Sequence, residues 1–539
     1  MFQFLVATQL KKSLPSLLNK INTRTTIDNH FKENSLLRME LSSWIPYLPI
    51  LLPLLIFPFY LLRVGIKPKD PDRLKFPPSP SKLPIIGNFH QLGETPHRSL
   101  WELSKKYGPV MLLHLGSVPT LVVSSAEAAE EVLRRNDLEF CSRPRSVGPK
   151  RLSYNFLDIA FAPYGDYWRE IRKVCVHELF SAKRVQSFGA LRAEEVAAMI
   201  HSISKSSIST TPVDIVQKSL SLTDQIMCKV AFGTSYEFGS GRFQEIVYEA
   251  IDMLGSFTAT DFFPGVGWII DRLTGMHGRL EKSFHDLDTF YQKIIDEHLD
   301  PQRIISGHED IIDVLLKLED RRSSIRLTKD HIKAVLMNLF LAGVETTAVT
   351  IGWAMSELIR SPASMKKVQE EIRSYAGNKG KVEEVDLDHL QYHKMVVKET
   401  LRLHPPLPLL IPRESIQQSK IDGYDVLPET RVYVNVFAIG RNPKDWENPD
   451  EFFPERFIDN SIDIRRQSFD FLPFGAGRRV CPGISMGLAT VELALANLLY
   501  CFNWELPNGM SKEDVKMDES SGLTVHQISV LHLVPIKHI

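Results

Sequence analysis

One cysteine in the chain has neighbours that would change its chemistry. In Phe471-Leu-Pro-Phe474-Gly475-Ala-Gly477-Arg478-Arg479-Val480-Cys481-Pro482-Gly483, Cys481 leads into an apolar stretch, 484–500, whose Leu488, Val491, Leu495 and Leu498–Leu499 recur at helical spacing. At a helix start the macrodipole and the unpaired N–H groups stabilise a thiolate, and Pro482 removes a donor that has no helical partner. The flanking glycines allow a tight turn and let backbone amides approach the sulfur. Such a thiolate serves as a metal ligand or as a nucleophile, although no histidine stands nearby in sequence to activate it for the second role. Gly475-Ala-Gly477 is not a dinucleotide fingerprint, because Val480 stands where the third glycine is needed.

A second group lies in Leu341-Ala-Gly343-Val-Glu345-Thr346-Thr347-Ala348. An acid and two hydroxyls there interrupt the apolar surface of a helix expected over 328–360, with Thr328 as N-cap and Pro362 as stop. Such a helix is about 50 Å long, a whole domain diameter. Polar groups at its centre need partners or a task, and a threonine bonding the carbonyl one turn earlier is the plain alternative. Elsewhere Glu399-Thr-Leu-Arg402 sets an acid and a base one turn apart, ordinarily a weak surface pair. Trp168 and Arg172, also one turn apart, share a helix face.

The elements that must position these groups are mainly helices. Strand-like runs are short: 110–115, 120–123 and 432–436. A length of 539 residues suggests three or four domains. No long linker, repeat or low-complexity block follows Gly87, so one large body fits better. Five scattered cysteines (Cys141, Cys175, Cys228, Cys481, Cys501) without a CxxC pair exclude a disulfide framework and a paired-thiolate zinc site, and point to a reducing compartment. A net charge of −1 removes any global electrostatic case for nucleic-acid binding.

Residues 41–62 carry no charge and, as a helix, span about 33 Å, enough to cross a bilayer core of roughly 30 Å. Trp44 and Tyr60 sit near its ends, where such rings favour the interface. Basic residues nearly balance across this anchor: Lys11, Lys12, Lys20, Arg24, Lys32 and Arg38 before it, Arg63, Lys67, Lys69, Arg73 and Lys75 after it. A start at Met39 would leave none before it and put the body in the cytosol. Residues 1–38 thus read as an upstream extension of the reading frame, with a basic targeting segment as the alternative. The expected organisation is 1–40 an N-terminal extension or targeting segment, 41–62 the anchor, 63–86 a basic, proline-rich hinge, and 87–539 the catalytic body.

The pattern Phe474-x-x-Gly477-x-Arg479-x-Cys481-x-Gly483 resembles the haem-thiolate signature of the cytochrome P-450 superfamily. Three further motifs accompany it: Glu399-x-x-Arg402 with Pro454-Glu-Arg456-Phe457, Ala342-Gly343-x-Glu345-Thr346-Thr347, and Trp168-x-x-x-Arg172. The resemblance covers 77–539. It is closest to the plant A-type microsomal group, on Asp158-Ile-Ala-Phe161-Ala-Pro-Tyr-Gly-Asp-Tyr-Trp168-Arg and Asp261-Phe-Phe-Pro264-Gly-Val-Gly-Trp268. It implies the cytochrome P-450 fold, mainly α with small β-sheets: a single large haem domain behind one N-terminal transmembrane helix.

The resemblance further implies heme b (iron protoporphyrin IX) with Cys481 as thiolate ligand. Trp168, Arg172, Arg413 and Arg479 are then partners of the haem propionates, with His404 a further candidate. Glu399, Arg402 and Arg456 form a buried network under the haem. Thr346 is implied as hydrogen-bond donor to the oxygen being activated, and Glu345 as the relay of protons from water. The candidate pocket lies in 152–156, 338–342 with Val344, 407–411 and 523–525, and its aliphatic lining implies an apolar ligand.

The activity implied is insertion of one oxygen atom from O2 into a small lipophilic plant metabolite, a terpenoid, phenylpropanoid, indolic compound or alkaloid. Electrons come from NADPH through a separate reductase, since no flavin or nucleotide fingerprint occurs; Arg169, Arg172 and Lys173 are candidates for its docking face. The enzyme is expected as a monomer on the endoplasmic reticulum membrane, single-pass, with its catalytic domain in the cytosol. The alternatives are a haem-thiolate dehydratase or isomerase of the same fold, and a non-catalytic haem-binding protein, against which Glu345 and Thr346 count.

Overall fold

Residues 329–360 and 484–501 are apolar on nearly every side, so they must be buried on nearly every side. The computed structural model places both at the centre of the molecule, as core helices. It describes residues 74–233, 242–303, 309–319, 326–458, 464 and 468–538. The anchor at 41–62 and the segment before it lie outside the described residues. Residues 77–539 form one compact unit, and its first stretch belongs to that unit: the Leu112 N–H donates to the Pro78 carbonyl at 2.9 Å, and the Asn88 N–H to the His114 carbonyl at 2.7 Å. The proline-rich segment from Pro77, the end of the stretch expected as a hinge, thus lies along a strand of this unit.

The helices of twelve or more residues are α1 (Pro96–Tyr107), α2 (Asp166–Glu178), α3 (Gly189–Ile208), α4 (Ile215–Phe232), α5 (Arg242–Gly255), α6 (Met276–His298), α7 (Lys329–Gly343), α8 (Glu345–Arg360), α9 (Pro362–Ala376), α10 (Gln391–Leu403) and α11 (Ile484–Cys501). Helix α8 is the hub, with α4, α10 and α11 packed on it. The strands are β1 (Val110–Leu115), β2 (Val118–Val123), β3 (Val213–Asp214), β4 (Arg413–Glu414), β5 (Ser419–Ile421), β6 (Tyr424–Val426), β7 (Arg431–Val434), β8 (Phe502–Glu505) and β9 (His532–Lys537). They form a four-stranded sheet in the order β1-β2-β7-β4, a three-stranded sheet β3-β9-β8 and the hairpin β5-β6. In the first sheet β1 and β2 are antiparallel, Val110 opposite Val123, while β2 and β7 run parallel, Thr120 opposite Arg431.

Two boundaries differ from expectation for local reasons. The strand expected to Val436 ends at Val434, because the Asn435 side chain accepts the Ala438 N–H and caps a short helix, Val436–Ile439. The single helix expected over 328–360 is two. It opens on a Thr328–His331 capping box and stops before Pro362 as expected, but it breaks at Val344 between α7 and α8.

Candidate active site

The loop that carries Cys481 closes on itself. The Cys481 N–H donates to the Phe474 carbonyl at 3.1 Å, the Gly475 N–H to Leu472 at 3.0 Å and the Val480 N–H to Gly477 at 3.1 Å. Gly477 lies at φ +70°, which L side chains avoid. A Cβ there would also run into the Leu133 carbonyl oxygen and the Asp137 carboxylate. Phe474 is partly buried against the main core. Cys481 stands just ahead of α11, and the Gly483 N–H bonds its sulfur; burial raises the thiol's pKa, while that N–H and the Arg172 guanidinium lower it. A cation replacing the thiol proton removes the cost of burying the thiolate.

Four arginines converge beside this loop. Arg172 on α2 donates to the Val480 carbonyl at 2.5 Å. Arg413 in β4 reaches the Ala476 carbonyl and the Asp137 carboxylate, both at 2.8 Å. Arg479 donates to the carbonyls of Cys141 at 2.8 Å and Ala162 at 2.6 Å. Arg143, which sequence reasoning missed, donates to the carbonyls of Ile411 at 2.6 Å and Pro412 at 2.9 Å. In the sequence Arg143 is one basic residue in a Ser-Arg-Pro-Arg loop, with nothing to separate it from a solvated charge. Burial lowers the pKa of all four, Arg479 to about 9, and they press on one another.

Trp168, expected to face a propionate, donates its indole N–H to the Ile159 carbonyl at 3.0 Å. Its ring lies 4.0 Å from the Arg479 guanidinium carbon, so the indole positions Arg479. Arg172 points inward, away from any docking face, whereas Arg169 is exposed beside Asp166. His404 bonds Glu357 through Nε2 at 2.7 Å and stacks on Trp353 at 4.1 Å, while its Nδ1 is buried without a partner.

The α7–α8 break forms another wall. Thr346 donates its hydroxyl to the Ala342 carbonyl at 2.6 Å, the back-bond that was the plain alternative. Ala342 is exposed in the middle of this otherwise buried pair of helices, and Gly343, Glu345 and Thr346 are partly so, which marks a cleft along that side. A Cβ at Gly487 on α11 would be 4.0 Å from the Thr347 hydroxyl, so the start of α11 meets the start of α8. Burial raises the Glu345 pKa, the Thr524 hydroxyl opposing it, and one carboxylate oxygen is buried without a partner.

Leu410 closes in from the next wall, its Cδ1 3.5 Å from where a Cβ at Gly475 would stand. The Val525 N–H donates to the Pro406 carbonyl at 2.9 Å, joining the segments 406–411 and 523–525. Asn338, placed in the pocket by sequence, is instead a strut: its amide bonds Asp158 at 2.9 Å and accepts the Ile159 N–H at 3.0 Å.

Beneath the cleft, Arg402 makes a two-pronged bond to Glu399 at 2.8 Å on both oxygens, and Arg456 joins at 2.9 Å. Arg402 and Glu399 side chains are fully buried. Arg402 also holds the carbonyls of Gly440 at 2.5 Å and Pro449 at 2.6 Å, tying α10 to the segment 440–456.

These residues fit a haem. Arg143, Arg172 and Arg479 spend their hydrogen bonds on main-chain carbonyls, and the three cations share one nearby buried carboxylate, Asp158, which acts on Arg143 and Arg479; two propionates would balance the remaining charge. Of the five free cysteines, Cys141, Cys175, Cys228 and Cys501 are buried and Cys481 is partly exposed, the accessibility an axial ligand requires. Fold and site together define the haem-thiolate class of oxygenases. The Cytochrome P450 family model matches residues 77–534. Cytochrome P450 71B10 of Arabidopsis thaliana is 52% identical over 88% of this chain and 97% of its own, and Cytochrome P450 71B9 of the same plant is 53% identical over 86% and 93%. A zebrafish cytochrome P450 solved with abiraterone superposes with a TM-score of 0.68 at 27% identity, covering 82% of this chain and 100% of that one. The chain belongs to the cytochrome P450 family and is a monooxygenase of the plant group to which these Arabidopsis relatives belong.

Proposed function

We propose that the enzyme inserts one oxygen atom of O2 into a small lipophilic specialised metabolite, with electrons drawn from NADPH through a separate reductase, on the endoplasmic reticulum membrane and as a monomer. What supports the substrate class is the aliphatic character of the segments 407–411 and 523–525 (Leu407, Leu409, Leu410, Ile411, Leu523, Val525), which the Val525 N–H to Pro406 carbonyl bond holds together. When bound, the haem supplies oxygen activation and a thiolate-donated push toward O–O cleavage.

In this reading the chain's own residues divide the remaining work. Cys481 would ligate the iron, its negative charge supported by the Gly483 N–H and Arg172. Arg143, Arg172, Arg413 and Arg479 bind the propionates and fix the macrocycle's orientation, with Trp168 setting Arg479. The apolar walls exclude bulk water and hold the substrate. Thr346 turns its hydroxyl from the Ala342 carbonyl into the cleft to pass a proton, and Glu345, whose carboxyl burial biases toward the protonated form, resupplies it. For the membrane, the segment Gly267–Leu273 bears exposed Trp268 and Leu273, with exposed Leu83 and Ile85 also in the described N-terminal stretch.

A reduced, CO-bound difference spectrum tests the thiolate. A substrate-binding spectral screen against a plant metabolite library, followed by product analysis, tests the class. Product that requires NADPH, reductase and O2 supports the reading; product formed without them overturns it in favour of a dehydratase or isomerase.

A further inference from the structure

The unpartnered oxygen of Glu345 raises the question of where its protons come from. The other oxygen, Oε1, lies 3.8 Å from Nδ1 of His526, whose side chain is 46% exposed while that of Glu345 is 15% exposed. His526 thus stands between solvent and a nearly buried acid. The hairpin that carries it is pinned to the core. The Trp353 indole donates to the Val525 carbonyl at 3.3 Å, Ser356 to Gln527 at 2.8 Å, and the Ser520 N–H to the His526 carbonyl at 2.8 Å. The Ser520 hydroxyl lies 3.1 Å from the same Nδ1 and steadies the ring beside Glu345.

From this placement we propose that His526 acts through Glu345, as a positioning residue that conducts protons from solvent to the cleft. The neutral ring, protonated at Nδ1, takes a solvent proton at Nε2 and releases its Nδ1 proton to the Glu345 carboxylate at Oε1, after a shift of under 1 Å or across one water. The ring is left as the Nε2–H tautomer, and proton exchange with solvent returns it to the Nδ1–H form. No electron moves and no other co-reactant enters. The other groups that act on Glu345 are Thr524, which bonds it, and Asp252 and Tyr248 on α5. Burial draws the two pKa values together, raising Glu345 and lowering His526, which suits a proton shared between them.

The inference rests on the proposed monooxygenase role of Glu345, and the test separates the two. Full-length His526→Gln is compared with wild type and with Glu345→Gln, after the reduced CO spectrum of each confirms haem-thiolate loading. Infrared difference titration, with the Glu345 carbonyl band assigned from its loss in Glu345→Gln, is expected to show the Glu345 carboxyl ionising about half to one pH unit higher in His526→Gln. With reductase and NADPH, the variant is expected to lose the His526 limb of the pH profile and to turn over about tenfold more slowly, with a larger solvent deuterium effect. In Glu345→Gln, adding His526→Gln is expected to change nothing further. An unmoved Glu345 band together with an unchanged pH profile overturns the relay while leaving the monooxygenase reading intact. A Glu345→Gln enzyme as fast as wild type, with the same pH profile, overturns the Glu345 role and the relay with it.

Discussion

At the scale of single residues, the molecule keeps its charges where their loss is most costly. Arg402 bonds Glu399 with both prongs and holds three carbonyls besides, those of Gly440, Pro449 and Glu451. Truncating it leaves the Glu399 carboxylate buried with Arg456 as its remaining cation, which costs about 3–5 kcal/mol. Arg402→Ala is therefore expected to yield protein without haem, read as a missing reduced CO peak and a lowered unfolding midpoint; a variant loaded like wild type would refute the role given to the network. The Glu399-x-x-Arg402 spacing was visible in the chain. That the pair is buried depends on Gly440, Pro449 and Glu451, which come near only after folding.

At the scale of elements, two joints matter most. The first is the Cys481 loop, where Gly477 has both a left-handed backbone and no room for a side chain. Gly477→Ala is expected to cost about 2–4 kcal/mol and to displace Arg479 and Cys481, with thermal unfolding and the CO spectrum as the checks. The second is the break at Val344. A residue pattern that read as one continuous helix gave the correct ends, because caps and prolines are local signals. The break itself follows from the Thr346 hydroxyl bonding the Ala342 carbonyl and from the packing of α4 and α11, which periodicity does not encode. Thr346→Ala is expected to keep NADPH oxidation while lowering product per NADPH about ten- to a hundredfold, with Thr346→Ser restoring most of it. Equal coupling in all three enzymes would remove Thr346 from the proton path.

At the scale of the whole molecule, helix α1 and the segment around the Glu519–Gln527 bridge are locked by one acid. Glu519 accepts from His97 at 2.8 Å and Arg98 at 2.5 Å, both at the start of α1. Burial alone would raise its pKa, but these bonds outweigh it and hold the carboxyl at about 2. A depressed native pKa stabilises the fold above the ordinary carboxylate value, near 4.3, and that stability is lost as pH falls from there through about 2. The contribution is roughly 2–3 kcal/mol, so Glu519→Gln should unfold more readily at neutral pH and show a flatter acid limb between about pH 4.5 and 2. Denaturant titrations across that range check it; parallel curves for the two proteins would rule out the lock.

The sequence by itself determined the local chemistry: a cysteine between glycines ahead of a helix, an acid and threonine in an apolar helix, two core helices with their caps, and the motifs that carry the family. Those signals are legible because they depend on neighbours within a turn or two along the chain. Tertiary structure alone decided which charges meet. It brought Arg143 beside Arg479, turned Trp168 onto Ile159 and Arg172 inward, paired His404 with Glu357, made Asn338 a strut, and set His526 behind Glu345. Apart from Trp168 and Ile159, nine residues apart, those pairings join residues far apart in sequence. Burial, which makes a charge functional, is a property of the packed core and has no counterpart in a residue's own neighbours along the chain.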